Sequence, residues 1–315
     1  RLAIPPFQAS KMRLLIVTFG FLAGSEAFRA ESCLVPSVHR SLRKTLILPS
    51  AGADDDYDFQ AKINRALAAV DQMKGTTYAV KKQSTLIHQG SARLFLDTAS
   101  EQEWESLLPT GLFYGITTNP VLLQRAGVEC TERSVAALAR KALEEHQVGE
   151  FMIQAWGGER DALVRTGSAI AALDSGSGDR VVVKLPLTLA GVAAAKILGT
   201  DGARICMTAC YNKEQVFLAA GVGAEYVAPY LGRMHDAGKD GVAECAAMPE
   251  LIRGMGASTR VLVASLRSAS QLSTLAAQGC DTFTFSPAIA RELFNEPLTT
   301  AAALNFEAAA VAMSS

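Results

Sequence analysis

The segment VVVKLPLT, residues 181–188, places Lys184 near the end of a run of β-branched residues. Such a run is typical of a strand buried on both faces, as in a parallel sheet. A lysine in an apolar wall loses hydration, which favours its neutral form. A neutral amine attacks carbonyl groups and forms a Schiff base, and the resulting iminium acts as an electron sink that lets a neighbouring carbon–carbon bond break or form.

Three polar residues that end other apolar runs could move protons beside this lysine. Gln154 lies in FMIQA, Thr208 ends ARICMT and Tyr230 ends EYVAPY. An amide, a hydroxyl and a phenol can together hold a water molecule and relay a proton to a reacting group. They would supply the acid–base partner that Schiff-base chemistry needs.

Two further sets of side chains suit a hydroxylated, anionic substrate. Asp97, Asn119 and Ser265 are of types that orient hydroxyl groups. Arg233 and Arg267 suit a dianionic phosphate, because guanidinium groups bind it through planar donor forks. This chemistry requires no metal ligands, and we expect neither a metal nor a cofactor.

Short β-rich runs alternate with Ala- and Leu-rich helical runs from residue 94 onward, which indicates βαβ crossovers and a parallel sheet. The predicted strands cover 94–97, 114–117, 151–155, 180–186, 203–208, 225–230, 260–265 and 282–286. The predicted helices between them include 131–145, 160–173, 189–198, 213–220, 243–255 and 269–277. Eight such units predict an α/β fold, a closed (β/α)8 TIM barrel, whose active groups sit where strands end. A doubly wound open sheet is the alternative, but LFLDTASEQEW has no Gly-rich phosphate turn.

Each candidate residue taken alone also fits a structural role. Asp97 could cap the next helix, Asn119 could form a turn with the proline after it, and Tyr230 could be a core aromatic. The arginines could be solvated surface charges, and Lys184 could extend out of the barrel. A closed barrel would aim all of these groups at one mouth, together with Thr118 of the TTNP segment, and that convergence favours a site.

Five motifs carry a resemblance to a known family. LFLDT, GITTNP, VVVKLPLT, AEYVAPYLGR and VLVASLR, in this order, resemble the transaldolase family, and specifically its short branch of fructose-6-phosphate aldolases and small bacterial transaldolases. The resemblance covers about residues 93–307. It implies that Lys184 is the Schiff-base lysine, that Asp97 handles substrate hydroxyls and protons, and that Thr208 positions the catalytic water. It matches Asn119 and Ser265 to the residues that hold the dihydroxyacetone unit, and Arg233 and Arg267 to the phosphate site.

Two positions separate the subfamilies that share this resemblance. Fructose-6-phosphate aldolases have glutamine on strand 3 and tyrosine at the end of strand 6, and this chain has Gln154 and Tyr230. Transaldolases have glutamate and phenylalanine there. Arg267 and the LGR segment resemble the transaldolases instead, and His235 departs from the aspartate that is usual after the arginine.

The leading hypothesis is a class I aldolase/transaldolase that cleaves or transfers the dihydroxyacetone unit of fructose 6-phosphate. The alternatives are a true transaldolase, a deoxyribose-phosphate aldolase type of lyase, and a non-catalytic sugar-phosphate binding protein. TTNP and APYLGR argue against the deoxyribose-phosphate type. The family resemblance also implies a homo-oligomer.

Composition excludes several other classes. The net charge of −1 gives no basic field for nucleic acid, and 49% apolar residues support a large core. The six cysteines and four histidines show neither disulfide nor metal spacing. Cys206 and Cys210 are four apart but have no partner pair, so we predict that they are buried small apolar residues. The expected partners are small sugar phosphates, without nucleic acid and, in the mature form, without a membrane.

The first ninety residues have a different composition. Lys11 and Arg13 precede LLIVTFGFLAG and then SEAFRA, the order of a signal peptide, and residues 32–48 are basic and Ser-containing without an acid, as in a transit peptide. Residues 1–50 therefore resemble the two-part presequence of algae with secondary plastids, with Phe28 at the aromatic position. We expect a plastid enzyme; an ordinary secretory signal is one alternative and a cytoplasmic-type enzyme the other. Residues 51–90 are predicted to be a partly helical extension, and 91–315 the barrel with a C-terminal helix.

Overall fold

The computed structural model describes residues 92–174 and 180–314 of the 315-residue chain. The predicted presequence (1–50) and N-terminal extension (51–90) lie outside the described residues. The described residues belong to two compact units, one that ends at residue 296 and one that begins at residue 297. None of the helices in the described ranges combines the length and the apolarity needed to cross a membrane.

Eight parallel strands close into a barrel in which each strand pairs with the next and β8 pairs with β1. The closed ring confirms the predicted (β/α)8 barrel, and the predicted strand ends agree within two residues. The strands are β1 (Arg93–Asp97), β2 (Gly115–Thr117), β3 (Glu150–Gln154), β4 (Val181–Pro186), β5 (Arg204–Cys210), β6 (Tyr226–Pro229), β7 (Arg260–Val263) and β8 (Thr282–Phe285).

Helices follow the strands and cover the outside of the barrel. Up to residue 296 they are α1 (Glu101–Leu107), α2 (Pro120–Arg125), α3 (Glu132–Arg140), α4 (Arg160–Ala171), α5 (Leu189–Thr200), α6 (Val216–Gly221), α7 (Leu231–Asp236), α8 (Gly241–Gly254), α9 (Ala269–Ala276) and α10 (Pro287–Phe294). The single helix predicted over 131–145 is α3 followed by a π-helical turn, Lys141–Glu145. The helix predicted over 213–220 begins as a 3₁₀ turn, Lys213–Gln215, before α6.

Alternation along the strands decides which side chains face the barrel interior. One interior cluster contains Phe95, Met152, Val182, Cys206, Tyr226, Ala228 and Leu262. The neighbouring strand residues point outward and pack against the helices. Two positions beyond the cluster, toward the carboxyl ends of β1, β3, β4 and β5, come Asp97, Gln154, Lys184 and Thr208. Their side chains therefore face inward at the mouth of the barrel.

The opposite end of the barrel is closed by a buried carboxylate. Glu150 is 1% exposed and accepts hydrogen bonds from Arg93 (3.0 Å), Arg204 (2.7 Å), Tyr114 (3.1 Å) and Tyr226 (2.8 Å). Burial, and then the charge of Glu150, raise the pKa of the Tyr226 hydroxyl. We call these five residues the floor network.

The second compact unit contains helix α11 (Pro297–Met313), 17 residues with the sequence PLTTAAALNFEAAAVAM. A C-terminal helix is also what the sequence predicts for this part of the chain. The helix has no buried residue, and Leu298, Phe306 and Met313 are each more than 70% exposed.

Candidate active site

Lys184 lies inside the barrel and is 3% exposed. Its Nζ donates a hydrogen bond to the backbone oxygen of Thr118 at 3.0 Å, so the residue does not extend out to solvent. In the strand register Lys184 pairs with Gln154 on β3 and with Cys206 on β5. The amine thus has a fixed position at the carboxyl end of β4, where the active sites of this fold lie.

The neighbour on β5 gives the lysine no thiolate to pair with. Burial raises the pKa of the Cys206 thiol to about 12, an effect that Lys184 opposes. Cys206 is therefore a neutral, apolar neighbour near pH 7, as predicted. Cys210 is buried as predicted, Cys245 and Cys280 are buried too, and Cys130 is exposed.

A hydroxyl pair lies beside the lysine on the next strands. Thr208 Oγ1 donates to the hydroxyl of Tyr230 at 2.9 Å, so the structure joins two members of the predicted proton relay. The third, Gln154, stands in register with Lys184 on β3. Tyr230 is half-buried and its hydroxyl accepts this bond, so the contact fits both the proton relay and the alternative of a core aromatic with a satisfied hydroxyl.

A bulge in β5 adds an aromatic residue to the relay. The register with β6 shifts between Thr208 and Cys210, and Ala209 between them has φ +59°, a left-handed conformation that costs a side-chain-bearing residue about 1–2 kcal/mol. Because of the extra residue, Cys210 packs in the outer core and Tyr211 meets Tyr230 edge to face at 5.8 Å. The sequence analysis missed Tyr211, since strict alternation from Thr208 would turn its side chain outward.

Asp97 is bound to hydroxyl groups inside the barrel and does not cap a helix. Its Oδ1 accepts from Thr117 Oγ1 at 2.7 Å, and Thr117 Oγ1 lies 2.5 Å from Thr284 Oγ1. The N-cap of α1 is Ser100, so the capping alternative is wrong. Sequence reasoning missed Thr117 and Thr284 as site residues, although alternation within GIT and TFTF could have placed both inside.

The TTNP segment contributes to the site mainly through a backbone carbonyl and through the side chain that caps α2. Asn119 Oδ1 accepts from the amides of Val121 and Leu122, both at 3.0 Å, and thereby caps α2. The amide nitrogen of Asn119 is the end that can donate to a substrate hydroxyl. Thr118 is fully buried and its hydroxyl donates to the Met152 oxygen at 3.1 Å, so its contribution to the site is the carbonyl that holds Lys184.

Arg233 is stacked on the tyrosine pair at the rim. Its guanidinium carbon lies 5.0 Å from the centre of the Tyr230 ring, a cation–π distance. Its Nη1 also donates to the hydroxyl of Tyr211 at 3.4 Å. These contacts place the guanidinium directly above the hydroxyl relay.

Arg267 is placed by a close approach between α7 and the end of β7. The amide of Gly232 donates to the Ser265 oxygen at 2.8 Å, and a Cβ at Gly232 would lie 2.3 Å from that oxygen and 2.8 Å from Arg267 Nε. Ser265 itself has φ +60°. Arg267 Nη2 forms an ion pair with Asp236 at 2.7 Å, so an aspartate one position after His235 meets this arginine.

A buried amine at the mouth of a closed (β/α)8 barrel, beside a hydroxyl relay and below two arginines, defines a barrel enzyme suited to carbonyl chemistry on an anionic substrate. A family model described as Transaldolase/Fructose-6-phosphate aldolase matches residues 94–315. The chain therefore belongs to that family, as its motifs predict, and is an enzyme of the aldolase/transferase type that acts on sugar phosphates.

Curated bacterial relatives match nearly their whole length to this chain. A probable transaldolase of Hyphomonas neptunium is 34% identical over 207 residues, which cover 66% of this chain and 91% of the relative. A probable transaldolase of Anaeromyxobacter dehalogenans is 32% identical, with 68% and 94% covered. One of Thermus thermophilus is 35% identical, with 65% and 92% covered. About a third of this chain lies outside each of these matches.

Proposed function

We propose that the protein is a class I aldolase/transaldolase in which Lys184 forms a Schiff base with the C2 carbonyl of fructose 6-phosphate. The observation that carries the proposal is the 3% exposed amine of Lys184, held at 3.0 Å by the Thr118 carbonyl at the mouth of the barrel. A protonated Schiff base is itself the electron sink, so the reaction needs no metal to stabilise the carbanion.

Schiff-base formation begins when the free amine adds to C2 and a nitrogen–carbon bond forms. The former carbonyl oxygen takes up protons and leaves as water, which yields the iminium. The hydroxyl pair of Thr208 and Tyr230, 2.9 Å apart, is placed to deliver these protons, with Gln154 in register beside the lysine to orient the water.

Cleavage follows from the iminium. Asp97 accepts the proton of the C4 hydroxyl while the C3–C4 bonding pair moves toward the iminium nitrogen and forms an enamine. The C4 oxygen becomes the aldehyde of glyceraldehyde 3-phosphate, which leaves. Protonation at C3 and hydrolysis then release dihydroxyacetone, whereas attack of the enamine on an aldose such as erythrose 4-phosphate completes a transfer.

The rim arginines suit the phosphate group. Arg233 stands above the relay on Tyr230, and Arg267 stands on the neighbouring loop beside Gly232. Asp236 offsets part of the charge of Arg267, so we assign the larger share of phosphate binding to Arg233.

A true transaldolase, which exchanges the dihydroxyacetone unit between sedoheptulose 7-phosphate and glyceraldehyde 3-phosphate, is the second candidate. The Gly232 position favours it, because the missing side chain makes the room that Arg267 occupies, and that pair belongs to the transaldolase-like LGR pattern. Gln154 and Tyr230 favour the aldolase. The names of the curated relatives, probable transaldolases, favour transfer.

Borohydride reduction in the presence of dihydroxyacetone tests the Schiff base. We expect intact-protein mass spectrometry to find one covalent adduct on the wild type and none on Lys184→Met. The matched control is Lys196→Met, because Lys196 is an exposed lysine on α5, and it should trap as the wild type does. An adduct that persists in Lys184→Met would refute the assignment.

The balance between lysis and transfer needs a second assay. Release of free dihydroxyacetone from fructose 6-phosphate is measured with and without erythrose 4-phosphate; strong suppression by the acceptor indicates a transferase. Tyr230→Phe removes the phenol from the relay and should slow lysis by about 10²-fold or more, a typical contribution of general acid–base catalysis. Lysis at the wild-type rate in that variant would show that the proton comes from elsewhere.

We also propose import into a secondary plastid, from the signal-like and transit-like composition of residues 12–50. A fluorescent reporter fused after this segment should enter the plastid of an alga with secondary plastids, and the aromatic-position variant Phe28→Ala should divert it. A reporter that is secreted would support the ordinary signal peptide instead.

A further inference from the structure

Two buried threonine hydroxyls, one on β2 and one on β8, form a chain of hydrogen bonds that ends at the carboxylate of Asp97 on β1. Thr117 Oγ1 on β2 lies 2.7 Å from Asp97 Oδ1, and Thr284 Oγ1 on β8 lies 2.5 Å from Thr117 Oγ1. Thr117 is 0% exposed and Thr284 is 1% exposed, so solvent does not compete for either hydroxyl. The strands β2 and β8 flank β1 on both sides, which places the two threonines around the base of the carboxylate.

The hydroxyl protons of this chain can run in only one direction toward an ionised carboxylate. A carboxylate has no proton to donate and must accept from Thr117. A threonine hydroxyl has a single proton, and once Thr117 gives it to Asp97 its oxygen can only accept from Thr284. The donor order is therefore Thr284 to Thr117 to Asp97, and in such a series each bond strengthens the next.

From this geometry we infer that Thr284 is a positioning residue of the active site. Through Thr117 it fixes the orientation of the Asp97 carboxylate and stabilises its charged form, which is the form that takes the proton of the substrate C4 hydroxyl. This inference rests on the proposed function, because it assumes that Asp97 acts as that base. Thr284 itself touches neither the substrate nor the lysine in this role.

Strand β8 offers an internal comparison. Thr282 is also buried and also inward, but two residues earlier, where its hydroxyl bonds with Arg260 (3.2 Å) and Asp281 (2.8 Å) at the closed end of the barrel. The two threonines of this strand thus differ in their partners: Thr282 bonds at the closed end of the barrel, and Thr284 bonds to the chain that reaches Asp97. A purely structural account predicts similar consequences for the loss of either hydroxyl, whereas ours predicts a catalytic signature for Thr284 alone.

The test compares the pH profile of kcat/KM for fructose 6-phosphate cleavage in Thr284→Val, Thr284→Ser and Thr282→Val. Loss of a hydrogen bond to the charged form raises the pKa of a carboxylate. We expect the acid limb of Thr284→Val to move to higher pH by about half a unit to one unit, with kcat reduced about tenfold. Thr284→Ser keeps the donor and should restore both values, and Thr282→Val should leave the acid limb in place.

The other ionisable groups at the mouth stay unchanged in these variants. They are Lys184, Cys206 and Tyr230 inside, and Tyr211, Arg233, Asp236 and Arg267 at the rim. A shift of the acid limb that Thr284→Ser reverses therefore reports on Asp97.

Two readouts separate this inference from the proposed function. If borohydride and dihydroxyacetone fail to label the wild type, the proposed function fails and the inference with it. If the wild type and Thr284→Val are labelled equally and the acid limb does not move, the inference alone is overturned. Should Thr284→Val fail to fold, Thr284→Ala provides the same measurement with a smaller side chain. An acid limb at the wild-type pH in Thr284→Ala would also overturn the inference.

Discussion

Replacing Glu150 by glutamine should destabilise the barrel strongly without altering its chemistry. Glu150 is 1% exposed and accepts from two guanidinium groups and two tyrosines, so the substitution removes the buried charge at the centre of these donors, although the half-buried Glu225 still pairs with both arginines. Breaking a buried ion pair by removing one partner costs about 3–5 kcal/mol, and the amide oxygen that remains can retain part of this. We expect a loss of about 3 kcal/mol in the free energy of unfolding.

The chain supplies a matched control in Glu250→Gln. Glu250 also pairs with an arginine, Arg253 at 2.5 Å, but both side chains are about 70% exposed. Exposed pairs contribute about 0–1 kcal/mol, so this variant should unfold within about 0.5 kcal/mol of the wild type. Both variants are compared by urea unfolding and by thermal melting, with kcat/KM measured well below the melting temperature.

The prediction separates stability from activity, because the two depend on opposite ends of the barrel. The floor network lies at the amino ends of the strands and Lys184 at the carboxyl ends, and in this fold the first serves stability and the second catalysis. Glu150→Gln should therefore keep kcat/KM within about twofold of the wild type. Equal midpoints for Glu150→Gln and Glu250→Gln would refute the energetic reasoning, and a large loss of activity in the folded Glu150 variant would refute the division between the two ends.

Three further outcomes follow from the same structure. Arg233→Ala should raise KM for fructose 6-phosphate about tenfold or more but leave cleavage of unphosphorylated fructose unchanged, and equal losses for both would remove Arg233 from phosphate binding. Gly191→Ala should cost several kcal/mol of stability, because its Cβ would lie 1.9 Å from the Pro186 oxygen; wild-type melting would contradict that clash. Burial raises the pKa of both Cys206 and Cys210 to about 12, so the folded thiols keep protons that the unfolded chain releases above about pH 9. The contribution of these protons to the free energy of unfolding is complete below this pH and is lost at about 1.4 kcal/mol per pH unit per thiol as pH rises toward 12. Urea unfolding from about pH 8 to pH 11 should therefore show a steady fall in stability. Thiols that ionise freely in the folded protein would give no such fall.

The sequence predicted the barrel well because its strands are strongly patterned. Runs such as VVVKLP are apolar apart from one lysine, as expected for strands covered on both faces, and the helices between them have clear lengths. The bounds of the short helices α1, α2, α7 and α10 were not predicted. Each has six to eight residues, too few for a periodic pattern, and α2 is instead specified by its Asn119 cap and the proline after it.

The candidate site was predictable where residue type and strand end coincide, and less so elsewhere. Alternation and register place Lys184 and Thr208 inward at the same end of the barrel, where Thr208 bonds to Tyr230. Thr284 could not be chosen from sequence, since buried threonines are common in strands and only its 2.5 Å contact with Thr117 singles it out. The plastid presequence and the oligomeric state remain predictions, to be tested by import and by light scattering of the mature protein.

The inserted residue in β5 has a consequence for anyone who wishes to redesign this enzyme. Forcing Ala209 into ordinary extended geometry, with no residue removed, would regularise the strand and relieve a strained conformation, which on grounds of stability alone is an attractive change. It would also rotate Tyr211 to the outer face and leave Arg233 without one of its two aromatic supports. Stabilising designs that idealise backbone geometry should therefore spare this single position, because the irregularity there holds Tyr211 against Tyr230 and Arg233, the residues proposed to deliver protons and to bind the phosphate.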